Sequence, residues 1–138
     1  MTAGERQLLT DLRRALLQLH KVLLDWERGA WERARGSRVS GNELLQVILN
    51  DPQFAWLRAI SELVVHIDEA IDHESPETPA DVGAIVQHAR TLVVPDENGS
   101  PYAQRYHTAL QELPDAVLAH RAVTTILKQA PEPQARTH

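Results

Sequence analysis

Apolar residues recur at steps of three and four along nearly the whole chain, the spacing of one face of an α-helix. The first such segment runs from Glu5 to Arg35. It carries Leu9, Leu12, Leu16, Leu19, Leu23, Trp26 and Ala30 in strict alternation of three and four. A heptad seam of this length suits a bundle or a coiled-coil-like dimer. Gly36 and Ser37 end it, and Arg28, Arg33 and Arg35 complement the negative helix C-terminus. Trp31 falls off the seam, so its ring either covers the corner that follows or waits for a partner.

The second segment begins at Ser40, where Ser40 and Glu43 make an S-x-x-E capping box before Leu44, Leu45, Val47 and Ile48. Asn50–Asp51–Pro52 interrupts it. Proline disfavours helical geometry at the residue before it, so a kink or tight corner is expected there. Beyond it, Leu57, Ile60, Val64, Ile67 and Ile71 form a stripe that Trp56 and Leu63 widen, ending at His73. The stretch ESPETP, residues 74–79, reads as a linker. Thr78 and Pro79 read as the cap and first position of a third helix, with Val82, Ile85, Val86, Ala89, Leu92 and Val93 on its buried side. Ser100–Pro101 repeats that device. The fourth helix runs to about Lys128 with a break or bend at Pro114, and Ala116, Ala119, Val123, Ile126 and Leu127 line its second half.

No strand pattern intervenes. The expected fold is all-α: a four-helix antiparallel up-and-down bundle, with helices 2 and 4 kinked or broken at Pro52 and Pro114. One domain is expected over residues 1–129, with a disordered tail at 130–138. The chain has 138 residues, 43% of them hydrophobic, and no cysteine, which removes disulfides and thiolate metal sites. No apolar run reaches the ~20 residues of a membrane helix. The charged N-terminal stretch lacks the apolar segment of a signal peptide, so a cytoplasmic protein is expected.

Charge changes the picture more than composition does. The net charge is −5, yet residues 1–40 hold eight Lys/Arg against five Asp/Glu, and the remainder holds six against fourteen. The basic end gathers Arg28, Arg33, Arg35 and Arg38 beside Trp31, a candidate partner-binding surface. Glu27 and Glu32 interleave, and the chain is acidic overall, which argues against nucleic acid. No Lys or Arg lies between Arg58 and Arg90. In that gap Asp68, Glu69 and Asp72 crowd the end of a helix, where the dipole disfavours anions. With His66 and His73 they form a candidate divalent-metal site, but Arg6, Arg13, Arg14 and Lys128 reaching across from the first and fourth helices are expected ahead of a metal.

Helical bundles often host metals, but the chain lacks Glu-x-x-His and His-x-x-x-His spacings. His20, His66, His88 and His120 fall one to each expected helix, beside its apolar stripe, and could converge on a ligand. Glu27 lies at the edge of the first seam, where an arginine partner or a bridge to a neighbouring helix is expected ahead of catalysis. His20, Glu27, His88 and His120 are the candidate pocket residues. Tyr102, Tyr106 and His107 sit within about one turn of each other. No Gly-rich phosphate loop or G-x-S-x-G is present. The expected function is non-enzymatic association, as a homodimer or as an adaptor for another protein, with no cofactor required. The alternative is a metal- or small-ligand-binding bundle using the helix-borne histidines and the acidic end of helix 2.

Overall fold

A computed structural model describes residues 1–38 and 40–130. Among the described residues the chain is all-α, with no strand. Its elements are α1 (Ala3–Arg35), α2 (Gly41–Asn50), a 3-10 segment (Pro52–Leu57), α3 (Arg58–His73), α4 (Val82–Leu92), α5 (Pro101–Glu112) and α6 (Pro114–Gln129). The expected count of four helices therefore becomes six. The two prolines divide elements where a bend was one of the expectations. Asp51 and Leu113, each preceding a proline, are extended at φ −83°, ψ 128° and φ −126°, ψ 104°. A proline ring excludes its predecessor from helical geometry, so each helix stops and a new one starts.

Pro52 opens a 3-10 segment, not an α-helix. With three residues per turn, side chains three apart eclipse. Phe54 and Leu57 therefore share one side and are buried, 1% and 2% exposed. Gln53 and Trp56 share the neighbouring side. Asp51 closes the turn by accepting from Gln53 N at 2.9 Å.

Three of the local stop and start signals act differently from expectation. α1 begins earlier than Glu5, with Thr2 as N-cap and a reciprocal capping box between Thr2 and Glu5. Ser40 makes no side-chain cap bond, and the Glu43 side chain, the other half of the expected box, pairs with Arg35 3.0 Å away. Thr78 closes a turn with Ser75, and α4 starts three residues later with Asp81 accepting from Ala84 N. Gly36 ends α1 in the left-handed region at φ 82°, and Ser100 caps α5 through Ala103 N, both as the sequence predicts.

α1 is the axis of the core. At 33 residues it is about 50 Å long, roughly twice any other element. Leu9, Leu12, Leu16, Leu19 and Leu23 are fully buried. They pack mainly on α6, through Ala116, Ala119, Val123 and Leu127, and on α3, through Ile60, Leu63 and Ile67. The alanines let α6 approach closely. α4 adds Ile85, Val86 and Ala89, and α5 adds Tyr106 and Ala109. The last residues of the seam, Trp26 and Ala30, are only half-buried, because α6 begins beside them and α1 runs on past it. α2 packs chiefly against the 3-10 segment and buries none of its ten residues. Ala130, assigned to the tail from sequence, is 6% exposed and packs in the core; the rest of that tail, 131–138, lies outside the described residues.

A substitution series separates these roles. Leu19→Ala should cost about 2–5 kcal/mol of unfolding free energy by cavity formation. Val65→Ala, on the exposed side of α3, should change it by less than about 0.5 kcal/mol. Urea denaturation measures both, and equal costs would refute α1 as the buried axis.

Candidate functional site

The most constrained polar group is Glu27, 0% exposed among apolar neighbours. Four donors meet its two oxygens. Gln53 Nε2 lies at 3.0 Å and Arg105 Nη2 at 2.7 Å from Oε1. Trp56 Nε1 lies at 2.6 Å and Arg105 Nε at 2.9 Å from Oε2. The 3-10 repeat supplies two of these, since Gln53 and Trp56 are three residues apart on one side. α5 supplies the arginine, whose guanidinium also stacks 4.2 Å over Trp26. A carboxylate has about four acceptor sites, so this one is saturated and has none left for a ligand or a proton in transit. Burial by itself raises the Glu27 pKa. The hydrogen bonds from Arg105, Gln53 and Trp56, with the Arg105 charge, outweigh it and hold the carboxyl below its ordinary value.

An aromatic file continues from Trp56 through the interior. Its ring meets Tyr102 edge-on at 5.5 Å, Tyr102 stacks on Tyr106 at 6.1 Å, and Tyr106 Oη lies 2.6 Å from His120 Nδ1. Tyr102 donates to the Leu92 carbonyl at 2.9 Å. Burial raises both phenol pKa values and lowers those of His120 and His20. The His120 ring is thus uncharged at neutral pH and shares one hydrogen bond with the Tyr106 hydroxyl. Trp56 Nε1, both phenol oxygens and His120 Nδ1 each make a hydrogen bond.

The four helix-borne histidines stand apart in character. His20 and His120 are half-buried, whereas His66 and His88 are exposed. Among the described residues no three His, Asp or Glu side chains are grouped to hold a metal ion. In the acidic run, Asp68 pairs with Arg13, and Arg6 Nη1 donates to the Ile71 carbonyl at 3.0 Å. Those α1 arginines relieve the crowded C-terminus of α3. Glu69 and Asp72 are exposed, and His66, Glu69 and His73 border a shallow hollow with Glu74 and Asp81.

At the basic end, Trp31 Nε1 donates to Asp51 Oδ2 at 2.9 Å, and Arg35 lies 4.6 Å over the Trp31 ring. These contacts fix the α1–α2 corner. Arg28 pairs with Glu32 at 3.4 Å, Arg35 with Glu43 at 3.0 Å, and Arg33 folds back over Gly29. Arg38 is exposed. Sequence reasoning missed Gln53, Trp56 and Arg105 as the partners of Glu27. A signal for the first two was present in Asp51–Pro52, which starts a three-residue repeat; nothing along the chain singles out Arg105.

Two outcomes test this assignment. Glu27→Gln places an amide N–H₂ among four donors and should destabilise the fold by about 2–4 kcal/mol. In a double-mutant cycle with Arg105→Gln the coupling should be about 1–3 kcal/mol, and additivity would refute the bond's importance. Stability should also fall in two stages on acidification. His20 and His120 have folded pKa values below the ordinary 6.5, so the unfolded chain binds more protons and stability declines as pH falls below about 6.5. Glu27, held below its ordinary 4.5, adds a second loss as pH falls below about 4.5. Urea midpoints measured between about pH 8 and 3.5 check both stages, and His120→Gln should flatten the first. No protein-family model, curated protein or solved structure matches the chain.

Proposed function

We propose that this protein works by association, as a helical scaffold that presents α2 and the arginine end to another protein. The observation that carries the reading is α2 itself. It is a ten-residue amphipathic helix with no buried residue, and Leu45 and Leu49, one turn apart, remain 53% and 52% exposed. Paired leucines at i and i+4 are the anchor spacing of helix-to-helix recognition. The rigid mounting of α2 supports the same reading. Trp31–Asp51 and Arg35–Glu43 tie its two ends to α1, and Arg58 donates to the Leu49 carbonyl. A helix held this way loses little conformational entropy when something packs on it.

The surrounding charge favours one kind of occupant. Residues 28–58 hold five arginines against three carboxylates, in a chain whose net charge is −5. The fitting partner is an amphipathic helix of another protein with leucine-like anchors and flanking carboxylates, steered by Arg33, Arg35 and Arg38. The saturated state of Glu27 and of the tyrosine file agrees with a structural interior and an active exterior.

The test compares wild type with Leu45→Lys/Leu49→Lys by titrating synthetic acidic amphipathic helices and following tryptophan fluorescence. Wild type should bind, with affinity falling as salt rises; the double variant should lose at least about tenfold. Binding unaffected by the lysines, or no binding to any acidic helix at up to about 500 µM peptide, would overturn the reading, since specific helix recognition is normally tighter than ~1 mM.

A further inference from the structure

We infer that a second copy of this chain packs antiparallel across the outer face of α1 and α6, setting Arg14 of each copy against Asp25 of the other. This surface is distinct from α2, and the inference stands on separate observations. Three of the shallow hollows in the protein lie along this one face. The first is at Leu8 and Gln129, the second at Val22 and Ala122, and the third at Gly29 and Leu113. Leu118 lines the second of these and, at 65%, is the most exposed large apolar side chain among the described residues. Among the described residues no other element lines these three hollows, and α1 with α6 makes the most extensive helix contact.

Charge selects the occupant. The face carries Glu5, Asp11, Asp25 and Asp115 against Arg14, Lys21 and Arg33, close to neutral in a chain of net charge −5. Two copies repel over most of their surfaces but not here. Arg14 and Asp25 are 77% and 57% exposed, and their partners within the chain are near neighbours on α1 itself: Arg14 with Asp11 at 3.8 Å and Asp25 with Lys21 at 3.0 Å. Exposed pairs of that kind contribute little and exchange easily. In an antiparallel pairing of α1 with its copy, the register that opposes Arg14 and Asp25 does so twice, by symmetry. It also brings Asp11 level with Arg28. The two-fold axis then passes between Leu19 and His20, at the level of Gln18 and Val22, the residues that share a hollow with Leu118. The two copies of Leu118 therefore meet near the centre, where an apolar anchor contributes most.

The size agrees. α6 is about 24 Å long, two packed helices present a width of about 20 Å, and α1 extends the strip beyond α6. The face offers roughly 700 Å² per copy, close to the ~800 Å² each partner gives in a standard interface.

The experiment is sedimentation equilibrium with light scattering on the full chain, from about 1 to 200 µM. Wild type should associate to twice 15.5 kDa. Arg14→Asp and Asp25→Arg should each weaken the dimer by about tenfold or more, the effect of ~1.4 kcal/mol. The Arg14→Asp/Asp25→Arg double variant should recover it, and so should a mixture of the two single variants, which recreates both opposed pairs across the interface. Leu118→Glu should abolish the dimer with no recovery. The Leu45→Lys/Leu49→Lys variant should dimerise as wild type does, which separates this inference from the α2 reading. A wild type that stays monomeric throughout overturns the inference. So does a dimer indifferent to the single changes, or one that neither the double variant nor the mixture restores.

Discussion

A carboxylate with no access to water must find its hydrogen bonds inside the protein, and at Glu27 that demand ties three elements together. α1 brings the charge, the 3-10 segment brings Gln53 and Trp56, and α5 brings Arg105. None of these can rotate or slide without leaving a buried charge short of a donor. Leucine packing along α1 is strong but tolerant of small shifts. The Glu27 contacts are directional, so they set the register that the apolar seam leaves open. Trp56 then passes the constraint to Tyr102, Tyr106 and His120, which lock α5 to α6.

The prolines work with that constraint. Were the chain helical straight through Asp51–Pro52, a period of 3.6 would turn Gln53 and Trp56 onto different bearings. The 3-10 turn keeps them eclipsed and aimed at one carboxylate, while Phe54 and Leu57 fill the core alongside. The same corner throws α2 outward, where Trp31 and Arg35 fasten it. The interior order and the exposed helix thus have a common origin in one dipeptide.

This arrangement divides polar chemistry from accessible surface. Inside, polar side chains are matched with each other. Outside, large apolar groups stand exposed on α2 and α6, and charges of both signs are interspersed along α1 and positive around α2. That distribution is what the proposed association and the inferred antiparallel pairing of α1 both draw on.

Much of the fold was legible in the sequence because it depends on local rules. Three-and-four spacing gave the buried side of α1, α3, α4 and α6; Gly36 and Ser100 marked ends by their own backbone and side-chain chemistry; and Pro52 and Pro114 marked breaks. What the sequence left open were the matters decided by residues far apart along the chain. Ser40–Glu43 had the form of a capping box, but Glu43 pairs with Arg35 instead. The edge position of Glu27 raised an arginine partner as an expectation, yet only packing could say that Arg105, 78 residues away, was the one. The acidic end of α3 looked uncompensated until α1 laid Arg6 and Arg13 against it. Helix periodicity is a property of neighbours in sequence, and so a single chain determines it alone. Which donor meets which buried acceptor depends on how the helices rotate against one another, and that is settled only when the core closes.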